Sequence, residues 1–366
     1  MAGGSAKKIM NETKLKQLDL EISNPCNEHC IHCYRQCLNS KKGFLSLEDS
    51  ELIFAQAQNL GVSKVTITGG EALLNPKWKE IIKAADNYDF QISLFTNGTL
   101  LKQSDVEYLS EIANLREIQV SLYSLNENIH DSITQLKGSC KKTLNAINLI
   151  INKNLPLFIS CPAMQANKQN FPEVMAWADK NNIRSCADLW IIGSSDYSMN
   201  NLNQRLSFDD LNDYFEVTMA NDAALSYSWG YSHKNIDLNN IHFYASTLSS
   251  LCINADGNIY PSIGWYEKLG NIKENTLKEI FDTNPLLLKA RLIKASDFVE
   301  CRNCDSKDFC DFCANVHLNS NKGELQKLDS DYCKYIQLRK KLASKRDKLL
   351  ENRLINEANY GNTTNI

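Results

Sequence analysis

The chain has 366 residues, of which 43% are apolar, so it is long enough to bury a large core and to form two domains. Its formal net charge of −3 creates no field that favours nucleic acid as the main partner. No apolar run is long enough to span a bilayer and the N-terminus lacks the apolar core of a signal peptide, so we expect a cytoplasmic protein without a membrane partner.

Short β-rich runs alternate with helical stretches in the first half of the chain, which is typical of repeated βα units. The first predicted strand is LDLEIS (18–23), and Ser46 with Asp49 three positions later predicts the start of a helix over 46–60. The next strands are predicted at 64–71, 90–98, 116–124, 155–162 and 187–193, with helices near 76–87, 104–113, 139–153 and 172–182. Six such units predict a parallel sheet with right-handed crossovers, either open or curved into a partial barrel.

The unusual motifs of this half follow the ends of predicted strands. They are the cysteine loop after the first strand, TGGE (68–71), TNG (96–98) and SLYS (121–124). Parallel sheets bind ligands at the carboxyl ends of their strands, so these motifs predict one shared site.

The pattern changes after about residue 200. A helix is predicted from Ser207, and CINADGNIYPS (252–262) predicts a hairpin with Asp256-Gly257 at its turn. The segment 334–354 predicts a basic, solvated helix, and the Asn/Thr-rich end is expected to be disordered. We therefore divide the chain into a flexible N-terminus (1–15), a barrel core (16–200), a helical connector (201–249), a cysteine-rich domain (250–335), and a basic helix with a disordered tail (336–366).

Thirteen cysteines without an export signal indicate a reducing compartment, where metal binding or catalysis is a commoner use than disulfides. Most of them lie in two groups near the ends of the chain. We interpret three of the scattered ones as small buried apolar side chains, namely Cys140, Cys161 and Cys186.

The first group is Cys26-x3-Cys30-x2-Cys33, which offers three thiolates without an equivalent fourth. A structural zinc site needs four ligands, usually in two pairs with a longer spacer. A fourth zinc ligand could come from Cys37, His29 or His32. Iron–sulfur clusters are ordinarily held by four thiolates, so three around a cubane leave one iron open for a substrate or cofactor.

This cysteine motif after the first strand, with GGE after the second, resembles the radical S-adenosylmethionine (radical SAM) enzymes over about residues 16–195. The resemblance implies a [4Fe–4S] cluster whose open iron chelates the methionine moiety of S-adenosyl-L-methionine. It also implies reductive cleavage to a 5′-deoxyadenosyl radical, which abstracts a hydrogen atom from an unactivated carbon. The fold that it implies is α/β, a partial (β/α)6 barrel.

The resemblance further assigns cofactor contacts at positions that match the family's motifs. In the GGE segment, backbone and carboxylate receive the methionine ammonium, and small residues let the backbone approach a ligand closely. TNG and the serine of VSLYS occupy positions that contact ribose and the methionine carboxylate in relatives, and the histidine before the third cysteine is expected near the adenine. The cofactor-binding residues implied in this way are Thr68, Gly69, Gly70, Glu71, Thr96, Asn97, Ser121 and His32.

The second cysteine group is Cys301-x2-Cys304-x5-Cys310-x2-Cys313-x19-Cys333, whose x5 spacer is shorter than that of a zinc ribbon. Together with the hairpin, it resembles the SPASM extension of radical SAM enzymes, a small cysteine-rich C-terminal domain with auxiliary [4Fe–4S] clusters, over about 250–335. The resemblance implies one cluster held by Cys301, Cys304, Cys310 and Cys333. It assigns Cys252 and Cys313 to another cluster.

Two departures from the SPASM pattern affect this other cluster. The spacing between Cys310 and Cys313 is x2 where the family usually has x3, and the hairpin ends in Pro261-Ser262 where the family has Pro-Cys. The cluster is therefore short of thiolates, so it either uses other ligands or is lost. We expect at least one auxiliary cluster.

Segments 121–145 and 190–207 resemble the corresponding regions of radical SAM enzymes that modify ribosomally made peptides. The implied function is hydrogen abstraction from a precursor peptide, and the oxidation that a crosslink requires favours a thioether or carbon–carbon crosslink. The implied partners are the peptide and a reductant such as flavodoxin or ferredoxin. Because fewer than 20 residues precede the first strand, we expect recognition by the barrel mouth, the C-terminal domain or a separate leader-binding protein.

Several alternatives remain open at this point. Asp188, Asp196 and Arg205 lie near the expected mouth, but surface roles suit them equally, so no catalytic residue is assigned. An enzyme that oxidises a sulfatase-type Ser or Cys, epimerises a peptide residue or acts on a small molecule would share the cysteine motifs. A non-enzymatic, zinc-stabilised binding module is the alternative from a different class.

Overall fold

The computed structural model describes residues 13–35, 43–219 and 236–361. In this part of the chain a nine-stranded sheet forms the centre of the molecule, and nearly all of its strands pair with two neighbours. The strands are β1 (Gln17–Ser23), β2 (Lys64–Gly69), β3 (Gln91–Thr96), β4 (Leu115–Ser121), β5 (Leu157–Ser160), β6 (Arg184–Cys186), β7 (Ser250–Asn254), β8 (Asn258–Tyr260) and β9 (Gly270–Asn271). Their order across the sheet is β6-β5-β4-β3-β2-β1-β7-β8-β9.

The first six strands are parallel to their neighbours, which confirms the predicted α/β sheet. Parallel strands need crossover connections, and helices supply most of them here. These helices are α1 (Leu47–Asn59), α2 (Trp78–Asn87), α3 (Gln103–Leu109), α4 (Glu127–Thr134), α5 (Ser139–Asn152) and α6 (Phe171–Lys180). The predicted start of α1 is confirmed, because the Ser46 side chain accepts a 3.0 Å hydrogen bond from the Asp49 backbone N–H.

Strand β1 is buried on both of its faces. Leu18 and Leu20 are fully buried in the main core, and Asp19 and Glu21, which alternate with them, are at most 5% exposed. Because successive side chains of a strand point to opposite faces, one face of β1 is apolar and the other carries buried carboxylates. The polar face continues into the cysteine loop.

Two predicted elements differ from the structure. The sixth strand was predicted at 187–193 but lies at Arg184–Cys186, because the Asp188 carboxylate accepts a hydrogen bond from the Trp190 backbone N–H and turns the chain there. Helix α4 was missed. Asn126 caps it by accepting hydrogen bonds from the N–H groups of Asn128 and Ile129, and this cap was the available signal.

The C-terminal half adds to the same sheet. The predicted hairpin is confirmed as β7 and β8, with Gly257 in its turn at φ +76°. Strand β7 pairs with β1 in parallel, so the sheet is continuous across residue 250, where we placed a domain boundary. The remaining helices are α7 (Phe208–Met219), which confirms the helix predicted from Ser207, α8 (Leu277–Thr283), α9 (Pro285–Leu292), α10 (Val299–Arg302), α11 (Ala314–Ser320) and α12 (Ser330–Gly361).

Helix α12 contains the segment predicted as a basic helix. Parts of four predicted segments lie outside the described residues, namely 1–12 of the N-terminus, 36–42 of the barrel core with Cys37, 220–235 of the connector and the tail 362–366. Within the described ranges, no helix combines the length and the apolar character that crossing a membrane requires.

Candidate functional site

The cysteine loop after β1 carries three thiols that are half-buried and form no disulfide. Burial, with a smaller contribution from the neighbouring charges of Glu71, Glu28 and Cys33, raises the pKa of Cys26 to about 12. Burial also raises the pKa of Cys30 well above its usual range, with Glu28, Cys33 and Cys26 adding to the effect. A bound cationic cluster favours the deprotonated form of thiols, so this donor set suits such a cluster.

The loop is held in place by segments that are distant in sequence. The His29 and Ile31 N–H groups donate to carbonyls at the end of α4, over 2.8 and 3.0 Å. On its other side, the Asn201 amide donates to the His32 carbonyl over 3.1 Å, and the Ser195 N–H donates to the Tyr34 carbonyl over 2.8 Å. Ser195 and Asn201 could not be predicted from the sequence, because the spacing of Asn and Ser in a loop carries no signal for such contacts.

The turn after β2 touches the cysteine loop through its glycines. The Gly70 N–H donates to the Ser23 carbonyl over 2.7 Å, and the Glu71 N–H donates to the Pro25 carbonyl over 3.0 Å. A Cβ atom on Gly70 would lie 2.4 Å from the Pro25 carbonyl oxygen, and one on Gly69 would lie 2.5 Å from that of Ser23. Only glycine permits this approach, so TGG brings β2 against the loop.

Glu71 is 1% exposed and its carboxylate accepts three hydrogen bonds. Oε1 accepts from the Leu73 N–H (3.0 Å) and the Thr96 hydroxyl (2.7 Å), and Oε2 accepts from the Asn97 N–H (2.8 Å). Burial raises the pKa of Glu71, and the bonds from Asn97, Leu73 and Thr96 oppose that rise. Glu71 therefore joins the ends of β2 and β3, and Oε2 keeps acceptor capacity for one further donor.

Asn97 connects the end of β3 to the cysteine loop. Its amide nitrogen donates to the Asn27 side-chain oxygen over 3.0 Å and lies 4.0 Å from the Cys26 sulfur. The Asn27 amide in turn donates to the Thr99 hydroxyl over 2.7 Å. The structure thus places Glu71, Thr96 and Asn97 beside the first cysteine, at the edge where the sequence predicted a shared site.

The other expected cofactor residues lie at the same edge. Thr68 pairs with Glu21 of β1, and Ser121 ends β4 opposite Ser160. The His32 ring packs edge-on against Tyr123 at 4.9 Å between ring centres. Burial lowers the pKa of His32 to about 4, and its Nδ1 is buried without a hydrogen-bond partner among the described residues. A neutral imidazole with an unused nitrogen suits contact with a bound nitrogen heterocycle.

Four cysteines of the second group lie near one another. Burial raises the pKa of Cys301 to about 12, with Cys333 and Cys304 adding to the rise. Burial also raises the pKa of Cys310 to about 12, and Cys301 and Cys333 again contribute. We call Cys301, Cys304, Cys310 and Cys333 the four-cysteine group. Within the described ranges no three metal-binding side chains converge on a single ion position, but a cubane binds each thiolate through a different iron.

The structure does not bring Cys252 to this group. Cys252 is fully buried in β7, opposite Asp19 of β1 and Tyr260 of β8. Burial raises its pKa well above the usual range, with Glu21 and Asp19 adding to the effect, and no cysteine contributes. Cys313 begins α11 instead, beside Asp188. The pairing of β7 with β1 places the Cys252 thiol inside the sheet, and its assignment with Cys313 to another cluster stays a prediction.

The three residues expected near the mouth have different surroundings, and Asp188 accepts the hydrogen bond from the Trp190 N–H that turns the chain after β6. Arg205 lies over the Trp190 ring at 4.4 Å, donates to the Ile191 carbonyl, and pairs with Asp329 at 3.2 Å, so it binds the C-terminal segment. The exposed Asp196 carboxylate accepts a hydrogen bond from the Ser198 N–H. None of these contacts identifies a general base.

Comparison with known proteins gives two domain matches. Residues 20–178 match the Radical SAM superfamily, and residues 246–305 match SPASM, an iron–sulfur cluster-binding domain. Two relatives come from Bacillus subtilis (strain 168), and each alignment spans about two thirds of the relative. The sporulation killing factor maturation protein SkfB is 26% identical over 78% of this chain and 67% of its own length. The antilisterial bacteriocin subtilosin biosynthesis protein AlbA is 26% identical over 82% of this chain and 68% of its own length.

The solved structures include Streptococcus suis SuiB bound to S-adenosylmethionine, with a TM-score of 0.70, 17% identity, and coverage of 88% of this chain and 79% of that one. SuiB bound to its precursor peptide SuiA matches with a TM-score of 0.69, 18% identity, and coverage of 89% and 78%. At these identities the likeness shows the fold alone. It confirms the predicted partial barrel followed by a cysteine-rich C-terminal region.

Proposed function

Because this chain is a radical SAM enzyme that carries a SPASM domain, we propose that it matures a ribosomally made precursor peptide. The observation that supports this most is the combination of a three-thiol loop at the strand ends with a four-cysteine group in the C-terminal half. Two relatives are named for the maturation or biosynthesis of a killing factor and a bacteriocin, and SuiB binds a precursor peptide.

The enzyme uses a [4Fe–4S] cluster with S-adenosyl-L-methionine, which together supply a 5′-deoxyadenosyl radical for hydrogen abstraction. In our proposal Cys26, Cys30 and Cys33 bind this cluster, and Gly69 and Gly70 let the strand-end backbone approach the cofactor. The thiols fit this role because their neutral forms are favoured unless a cation binds.

The cofactor is oriented by polar groups around the first cysteine. We assign the methionine ammonium to the free acceptor position of Glu71 and to backbone near Thr68, and the ribose and carboxylate to Asn97 and Ser121. Thr96 acts through Glu71, since its hydroxyl donates to that carboxylate. His32 lies where it can contact the adenine, which would use its unpartnered Nδ1.

The four-cysteine group holds the auxiliary iron–sulfur cluster in this proposal. A thioether or carbon–carbon crosslink removes electrons from the substrate, and an auxiliary cluster supplies an acceptor for them. An oxidised, crosslinked product therefore agrees with the presence of a SPASM domain in the chain. Cys313 is not needed for this set of four ligands.

The proposed partners follow from the same chemistry. Reductive cleavage needs an external one-electron donor, such as flavodoxin or ferredoxin. Because these donors are cytoplasmic proteins, we propose that the enzyme works in the cytoplasm. The peptide binds at the barrel mouth or against the C-terminal domain, and a separate leader-binding protein is a further proposed partner.

Replacement of Cys26, Cys30 and Cys33 by Ala tests the radical SAM part of this proposal. The variant should lose about four irons per chain and all cleavage of S-adenosylmethionine to 5′-deoxyadenosine, because the open-iron cluster cannot form. Cys186→Ala is the matched control, since this thiol belongs to neither cysteine group; it is exposed, so the burial expected for it was wrong, whereas Cys140 and Cys161 are buried. Undiminished cleavage by the triple variant would refute the assignment.

A further inference from the structure

A buried carboxylate joins the cysteine loop to the C-terminal half of the chain. Glu21 of β1 is 1% exposed. Its Oε2 accepts a 3.0 Å hydrogen bond from Arg35, which follows Cys33 by two positions. Its Oε1 accepts a 2.5 Å hydrogen bond from the hydroxyl of Tyr266, a residue that follows the β7–β8 hairpin. One side chain of β1 thus contacts two parts of the chain that are far apart in sequence.

This ion pair is almost completely removed from solvent, with Arg35 only 11% exposed. Burial raises the pKa of Glu21, and Arg35 and Tyr266 lower it. The desolvation cost of a buried ion pair often equals or exceeds its Coulombic gain, and apolar residues of similar volume frequently serve stability as well. Stability alone therefore gives no strong reason for an ion pair at this position.

The surroundings of Tyr266 show what the ion pair fixes. The Tyr266 ring lies 5.3 Å from that of Tyr260 in β8 and 6.4 Å from that of Tyr34 in the cysteine loop. Arg35 also donates to the Ser23 carbonyl, at 3.5 Å. The loop that carries Cys33 and the segment that leads from the hairpin to the four-cysteine group thus meet at Glu21.

We propose that Glu21 is a positioning residue that sets the separation between the radical-generating loop and the SPASM segment. This inference rests on the proposed function and on one of its two peptide sites, in which the peptide binds against the C-terminal domain while the radical forms at the loop. With Glu21 in place, the carbon that reacts lies within reach of the radical. Without the Glu21 contacts, the radical still forms, but it takes a hydrogen atom from another source, such as solvent or buffer, and the peptide stays unmodified.

Tyr266→Phe is the first test, because it removes one hydroxyl and leaves Arg35 paired. We expect cleavage of S-adenosylmethionine at the parent rate, and a rise of about tenfold in 5′-deoxyadenosine formed per modified peptide, since a hydrogen bond to a charged group is lost. Tyr260→Phe is the matched control. Its hydroxyl lies 3.5 Å from the Asn254 amide, so this variant should keep the parent ratio.

Glu21→Gln is the second test, and its readout does not involve the peptide. The substitution removes the negative charge that faces Arg35, two positions after Cys33, and a more positive local charge favours the reduced state of the cluster. We expect unchanged iron content and a higher midpoint reduction potential. Glu117→Gln is the matched control, because Glu117 pairs with Arg184 at 2.9 Å in a largely exposed ion pair.

The outcomes distinguish a failure of the positioning role of Glu21 from a failure of the proposed peptide maturation. An unchanged product ratio in Tyr266→Phe, or an unchanged potential in Glu21→Gln, overturns the positioning role. If the parent enzyme cleaves the cofactor but modifies no peptide, the proposed function fails, and the potential of Glu21→Gln still decides whether Glu21 acts on the cluster loop.

Discussion

Glu71 has two roles, as a proposed cofactor ligand and as a hydrogen-bond acceptor that joins the ends of β2 and β3. The GGE motif identifies it as a cofactor residue by resemblance. The structure adds that both of its oxygens already accept hydrogen bonds from Leu73, Thr96 and Asn97. The contacts with Thr96 and Asn97 could not be predicted, because parallel pairing of β2 with β3 brings together residues that are 25 and 26 positions apart.

Glu71→Gln should weaken binding of S-adenosylmethionine and leave iron content unchanged. The new amide group turns one acceptor into a donor that faces a backbone N–H, at a cost of about 1–3 kcal/mol. The measurements are the dissociation constant of the cofactor and the free energy of unfolding. Glu80→Gln, on the surface of α2, is the control. An unchanged dissociation constant would place the methionine ammonium elsewhere.

At the scale of elements, the site depends on the contact between the cysteine loop and the turn after β2. The strand ends could be predicted because alternating β-rich runs and Gly-Gly turns are local signals. The sixth strand could not, since Asp188 turns the chain through a contact of its own side chain. The support of the loop by Asn201 depends on a contact between residues 169 positions apart.

Gly70→Ala should push the cysteine loop away from β2 and lower the iron bound by the three-thiol loop. The added methyl group would lie 2.4 Å from the Pro25 carbonyl oxygen, so the backbone must move. Iron content and cofactor cleavage measure the effect. Gly61→Ala is the control, because its methyl group would meet no atom within 4 Å and would cost only the strain of φ +77°, about 1 kcal/mol. Equal iron content in both variants would contradict this contact.

At the scale of the whole molecule, one sheet carries both halves of the enzyme. Strand β7 pairs with β1, which leads into the cysteine loop, while the hairpin of β7 and β8 leads toward the four-cysteine group. The resemblance to the SPASM extension assigns Cys252, together with Cys313, to another cluster. It could not show that the strand carrying Cys252 would join the barrel sheet.

With one cubane in the cysteine loop and one in the four-cysteine group, we predict about eight irons per chain, four in each cubane. Cys304→Ala should lose about four of them, together with peptide modification, and keep cofactor cleavage. Cys252→Ala should lose none, which makes it the control for a buried thiol outside both groups. About twelve irons in the parent enzyme would show instead that another auxiliary cluster is present.

The central claim is that a radical made by this chain takes a hydrogen atom from a peptide. The most direct measurement uses a precursor peptide, encoded by a short open reading frame beside the gene and deuterated at its carbon atoms. Under anaerobic turnover with reductant, we predict monodeuterated 5′-deoxyadenosine and a modified peptide in matching amounts. Undeuterated 5′-deoxyadenosine beside an unchanged peptide would contradict the claim.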